Sequence, residues 1–541
     1  MKKIKANYVD VEQRMSFPAE LTINNGRIQE VKRIEEKVRG FLCPALVDAH
    51  IHIESSMLTP KSFGLEAIKH GTIATVSDPH EIANVCGIEG IRYMQESAKQ
   101  SPIPMFFGVP SCVPATSFET AGAEINAKDV SELIAEPAFK YLSEMMNWPG
   151  VLSNDDEVMK KIAAAQKHNK PVDGHAPGLT GEACKNYFSK GISTDHECFT
   201  YEEALGKLKL GVKVQIREGS AAKNYNALHP LIHNYPDQLM FCSDDKHPDD
   251  LLLGHINLLI QRSLKLGYSI YDLLKIASLN AIKHYNLPIG TLQVGDSADF
   301  IIVDDLSNFN VQSIYYEGEK LIEGVVHSSS SEEETINQFC SYPVQEEDFV
   351  LEASGQTARA IFVKDGEIVT DSSREKVLTE NNRVISNPSN DLLKICVVNR
   401  YKKAAPSIAF VKGIGLKKGA IASSVAHDSH NIIVTGTSDH LIAKAVNQIM
   451  DSKGGLCFVD EENAALLPLP VAGLMSTKSC KEVGPAYTKL LNLCKKAGSP
   501  LHSPYMTLSF LALLVIPKLK LSDKGLFDAE EFKFVAPLNQ D

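Results

Sequence analysis

The chain lacks the marks of several large protein classes. It has no Cys-x-x-Cys pair, no run approaching the roughly 18 apolar residues that span a membrane, and no excess of positive charge. Its 11 cysteines are odd in number and scattered from Cys43 to Cys494, a pattern of reduced thiols rather than a disulfide framework. The longest apolar stretch near the C-terminus, 508–517, has the length of a core segment. Met1-Lys2-Lys3-Ile4-Lys5 is basic, but no apolar h-region of a secretory signal follows it. A formal net charge of -12 disfavours a nucleic-acid backbone or an anionic membrane as partner. His52-Ile53-Glu54 has the spacing of the His-x-Glu zinc deaminases, but without Cys-x-x-Cys that class is excluded. The scattered cysteines point to a cytoplasmic protein.

What is present is enough chain for two to four domains: 541 residues, 44% hydrophobic and 23% charged. Residues 1–40 alternate short apolar stretches with polar turns, and Leu21 to Ile28 reads as a hairpin turning at Asn25-Gly26. From Phe41 the pattern becomes strand, loop, helix, repeated. Candidate strands are 41–53, 72–78, 104–110, 141–146, 171–175, 191–196, 212–217 and 238–243. Helical patterns between them include 155–169, 180–190, 201–210 and 251–266. Eight such units in this length favour a closed (β/α)8 barrel over a doubly wound open sheet.

The expected organisation is α/β. A TIM-like barrel over 41–285 is flanked by a small β-sandwich built from 1–40 and 286–327. A linker over 328–344, opening on Ser328-Ser329-Ser330-Ser331, leads to a C-terminal α/β domain over 345–541. In that domain, strands are expected at 394–399, 407–411, 431–435 and 456–459, with a helix at 439–450.

In such a barrel, chemistry sits where the strands end. Strand one ends in Asp48-Ala49-His50-Ile51-His52, and residues i and i+2 of a strand share a face. Alone, a His-x-His is weak evidence. The other strand ends strengthen it: Asp78-Pro79-His80-Glu81, Glu144, Asp173-Gly174-His175, Asp195-His196-Glu197, Arg217-Glu218 and Ser243-Asp244-Asp245. Histidines from strands one, five and six with an aspartate from strand eight make a ligand set for a hydrolytic metal. His50, His52 and Asp244 are assigned to one ion and His175 and His196 to a second, with Glu144 as bridge. Lys140, carbamylated, is the competing bridge. Two such ions sharing a water lower its pKa toward neutrality, and the hydroxide so formed is the nucleophile. Manganese, iron and zinc all suit the ligands.

Asp244 is also the candidate to carry the proton of the attacking water to the leaving group. His80 and Glu81 are candidates to polarise the substrate or orient a ligand; the plainer reading is a turn before a helix. Arg217 and Glu218 either contact the substrate edge or form a structural salt bridge. His427-Asp428-Ser429-His430 reads as a loop, or as a lid over the barrel mouth.

These stretches resemble the amidohydrolase superfamily and, within it, the bacterial and archaeal adenine deaminase family. The resemblance runs through 48–57, 77–85, 173–179, 194–198, 216–224 and 243–250, and continues in 419–431 and 504–510. It departs at Lys246, where arginine is expected, and at Ser243, where threonine is commoner. The resemblance implies hydrolysis of adenine to hypoxanthine and ammonia in purine salvage. It also implies a centre of two divalent ions, usually iron or manganese, a bridging glutamate rather than a carbamylated lysine, and a homo-oligomer. The competing readings are a cyclic amidohydrolase of the dihydroorotase or allantoinase type and a non-catalytic purine-binding protein.

Overall fold

The computed structural model describes residues 1–220, 222–321 and 333–539. The start of the expected linker, 328–332, lies outside them. Eight parallel strands close into a barrel: Leu46–Ile51, Thr72–Ser77, Met105–Phe107, Leu142–Met145, Val172–Gly174, Thr194–Asp195, Lys213–Arg217 and Leu239–Cys242. Neighbours pair in sequence order, with single bridges Val109–Leu142 and Val172–Ile192 where ladders are short. The last strand returns to the first: the Asp244 N–H donates to the His50 carbonyl and the His52 N–H to the Asp244 carbonyl, at 2.9 and 3.0 Å. That closure rules out the open sheet. It also sets Asp244 beside the two histidines.

Two of the sequence expectations need correction. The run 41–53 is not one strand. Phe41–Pro44 belongs to a separate seven-stranded sheet, pairing in parallel with Asn7 and Tyr8 and antiparallel with Phe300–Val303. Only after Ala45 does the chain enter the barrel. Both segments are almost wholly buried, so the hydropathy is continuous across the switch. The helix expected over 251–266 is broken at Gly254, whose φ of 155° few other residues adopt; Pro248–Leu253 and Ile256–Lys265 flank it.

The seven-stranded sheet draws Lys2–Asp10, Met15–Asn24, Arg27–Arg33 and Phe41–Pro44 from before the barrel. It draws Phe300–Val303, Val311–Tyr316 and Glu319–Leu321 from after it. Its hairpin turns at Asn25-Gly26, both with positive φ, the geometry that matches strand twist.

The C-terminal part is built on a nine-stranded mixed sheet. The period of two along Leu392–Val398 sorts its faces. Cys396 and Val398 pack under the helix Asp439–Ser452, while Leu393, Ile395 and Val397 join the core that is continuous with the barrel. That helix starts on the Ser438 hydroxyl, which accepts the Leu441 N–H, and buries Leu441, Ile442, Ala445, Val446 and Ile449. Polar ties also cross between barrel and C-terminal domain. The Ser476 N–H donates to the Met57 carbonyl, and the Thr120 N–H to Asp523 Oδ1, both at 2.8 Å. Among the described residues no helix is long and apolar enough to cross a membrane.

Candidate metal centre

All six proposed ligands meet at the carboxyl end of the barrel, and all are buried. His50 Nε2 and His52 Nε2 lie 3.2 Å apart, and each faces Asp244 Oδ1, at 3.4 and 3.2 Å. Glu144 divides its oxygens: Oε1 is 3.2 Å from His52 Nε2, while Oε2 is 2.7 Å from His175 Nδ1 and 3.2 Å from His196 Nε2. This carboxylate therefore touches both groups of imidazoles. Lys140 precedes the strand and does not line the cavity.

The donor set fits cations. His52 Nδ1 lies 3.1 Å from the Asp78 carbonyl, an acceptor only, so the ring proton sits on Nδ1. Its Nε2 faces Glu144 Oε1 and Asp244 Oδ1. Burial would lower His52, but these carboxylates raise it well above the usual histidine value, so positive charge belongs between them, as a proton or as a metal ion in its place. The carboxyl groups carry the same demand. Burial would raise Asp244 and Glu144, yet Arg217 with His50 and His52 holds Asp244 well below the usual carboxylate range. His175, His196 and His52 do the same for Glu144.

Other residues fix this ring. Arg217 reaches Glu197 with both terminal nitrogens and Asp244 Oδ2 at 2.5 Å. Lys207 is fully buried and donates to Asp195 Oδ2, Glu203 Oε1 and the Ala176 carbonyl, each at 2.8 Å. It thereby pins the loops that carry His175 and His196. Such outer partners orient the groups that bind a metal.

His80 and Glu81 also line the cavity. His80 Nδ1 is 3.1 Å from Asp78 Oδ2 and 3.5 Å from Glu144 Oε1; its Nε2 faces Glu81 at 3.6 Å and Asp428 at 3.9 Å. Burial alone would depress His80, but Asp78 and Glu81 raise it well above the usual histidine value. Glu81 is gripped from the C-terminal domain, by His427 Nδ1 at 2.5 Å and by His430 Nε2. His430 Nδ1 accepts the Ala426 N–H, so its Nε2 carries the proton given to Glu81. That tautomer makes the Glu81–His427–His430 cluster a clamp between domains rather than a third ligand set.

Glu218 is not brought to the ring. One residue beyond Arg217, its carboxylate pairs with Arg262 at 2.9 Å and lines a different cavity. Asp428, within the motif read as a loop or lid, lies in the cavity, as do Glu197 and an apolar closure of Ile368, Phe510, Leu513 and Ile516, to which the sequence assigns no role. For Glu197 the Asp195-His196-Glu197 strand end was the available signal.

A closed parallel barrel with this ring at its carboxyl end defines a hydrolase of the amidohydrolase class, and residues 41–321 match the family model described as "Amidohydrolase family". Residues 367–533 match the model described as "Adenine deaminase C-terminal domain". A protein of Sulfurovum sp. (strain NBC37-1) named adenine deaminase is 50% identical, over 98% of this chain and 99% of that one. Those of the same name from Methanosarcina mazei and Parabacteroides distasonis are 48% and 47% identical, over 99% and 98% of this chain and the same shares of theirs. The chain belongs to the adenine deaminase family.

Proposed function

We propose that this protein hydrolyses adenine to hypoxanthine and ammonia at a centre of two divalent ions, manganese or iron(II), with zinc the third candidate. One observation carries the reading. Relatives named adenine deaminase match this chain over nearly its whole length at 47–50% identity, so barrel and C-terminal domain agree together. The ring of imidazoles and carboxylates supports the chemistry that name implies.

In this reading His50, His52 and Asp244 would hold one ion and His175 and His196 the other, with Glu144 placed to offer one oxygen toward each group. Bound there, the ions would supply a nucleophilic water at neutral pH and stabilise developing negative charge. The attacked carbon is C6, which bears the exocyclic amine. Asp244, kept ionised by Arg217, takes the proton released by the water and returns it to the departing amine. His80 holds a proton facing Glu81 and Asp428 and gives it to the ring nitrogen beside C6, where charge would otherwise accumulate. Glu81, a carboxylate under His427 and His430, accepts a hydrogen bond from the N–H so formed, which the product keeps, and the second proton of the water leaves the C6 hydroxyl as the carbonyl forms and restores His80. Arg217 acts through Asp244 rather than on the purine edge. The buried cavity excludes bulk water. The activity serves purine salvage in the cytoplasm, in a homo-oligomer; eleven unpaired cysteines agree with a reducing compartment.

The test supplies manganese-loaded protein with adenine and follows hypoxanthine and ammonia, beside parallel samples given a cyclic ureide and a dihydropyrimidine. Turnover of adenine alone is expected. Turnover of the cyclic amides instead would replace the deaminase by a cyclic amidohydrolase. Adenine binding that survives metal removal, with no turnover in any sample, would indicate a binding protein.

A further inference from the structure

The cavity above the metal ring is mostly polar where the barrel forms it, and the C-terminal domain closes it with four apolar side chains beside His427 and Asp428. Ile368, Phe510, Leu513 and Ile516 line the same space as His52, Glu144 and Asp244. They form one apolar cluster with Met506 and with Ala222 of the barrel. Phe510 is also stacked on His427, with ring centroids 4.7 Å apart and planes 21° from parallel. The four side chains come from two segments, around 368 and 510–516. Lys520 ties these together from behind. It is buried, and its Nζ donates to the Ile368 carbonyl at 2.9 Å and the Phe510 carbonyl at 3.0 Å.

Hydrolysis at a metal centre does not require an apolar wall. A wall of this kind gains by covering apolar surface, because removing such surface from water is favourable. A purine offers two flat apolar faces and a rim of polar atoms. A ring of saturated amides is puckered and polar on most sides. We propose that Ile368, Phe510, Leu513 and Ile516 form the surface against which the purine ring lies, so that the C-terminal domain selects a planar aromatic base. Lys520 is a positioning residue for that surface. The inference rests on the adenine reading and adds to it the residues that choose the substrate.

The test uses full-length, manganese-loaded protein and the variants Phe510→Ala, Phe510→Leu, Ile516→Ala and Lys520→Met. Bound metal and circular dichroism are measured for each. The readouts are kcat and KM for adenine and the inhibition constant of hypoxanthine, a planar base that does not react onward. Loss of one stacking side chain is worth about tenfold in affinity. Phe510→Ala should therefore raise KM and the inhibition constant about tenfold each, with kcat falling less than KM rises and metal content unchanged. Phe510→Leu should recover part of both. Ile516→Ala should shift both constants in the same direction, as should Lys520→Met, which removes no cavity-lining side chain. Unchanged constants in Phe510→Ala and Ile516→Ala, with the parent enzyme active, would overturn the inference and leave the deaminase standing. A parent protein that turns over no adenine would overturn both.

Discussion

The His427–Glu81 contact makes the junction of the two domains sensitive to pH, with a sign that can be worked out. Burial disfavours the charged imidazole of His427. The Glu81 carboxylate at 2.5 Å, with Asp245 and Asp428, more than reverses that and raises it from 6.5 to about 9. A group whose folded value is raised contributes its full stabilisation below the unfolded value and loses it as pH rises through the folded one. The window is therefore pH 6.5 to about 9, and a rise of that size is worth roughly 3 kcal/mol at about 1.4 kcal/mol per pH unit. His427→Asn keeps a neutral donor near the Nδ1 position but cannot ionise. Urea unfolding of metal-free protein, followed through Trp148, the only tryptophan of the chain, gives the stability of each form between pH 6 and 9.5. Histidines shared by both proteins cancel in the difference. The parent should exceed the variant most at pH 6, with the gap narrowing by about 3 kcal/mol by pH 9.5. A gap independent of pH would refute the charged clamp.

Three further substitutions separate the parts of the site. Glu144→Gln removes a carboxylate that touches both groups of imidazoles, so both ions should be lost together and activity should fall ~100-fold or more, read by metal analysis and ammonia release. Lys207→Met leaves Asp195 and Glu203 buried without their cation, and unfolding should become easier by about 3–5 kcal/mol. Metal affinity in that variant should fall about 10–100-fold, because the His175 and His196 loops lose their tie. Arg217→Met frees Asp244 to take up a proton, and the acid limb of the pH–rate profile should move to higher pH.

Much of this site was legible in the sequence because a parallel barrel brings its strand ends together. Once eight strand–helix units were counted, His50, His52, Glu144, His175, His196 and Asp244 had only one mouth to face. The switch at Ala45 was hidden because both flanking strands are buried and hydropathy cannot separate two buried sheets. The break at Gly254 was hidden because a glycine inside an apolar helical pattern reads as tolerated. Arg217 and Glu218 stood as a pair in the sequence, yet alternation at a strand end sends one to Asp244 and the other to Arg262. The closing surface was the least legible part. Ile368, Phe510, Leu513 and Ile516 look like any core residues, and only the docking of the C-terminal domain makes them a wall of the cavity. His427 and His430 were visible as a motif, but their partner Glu81 is 349 residues from His430.

In the proposed reaction two ions bound by this ring carry out the deamination. The most direct measurement adds manganese stepwise to metal-free protein and follows ammonia release from adenine at each addition. No activity is expected without metal, and the rise should reach its plateau at two ions per chain. Full activity at one ion per chain, or activity that persists in the chelated protein, would contradict the two-ion proposal.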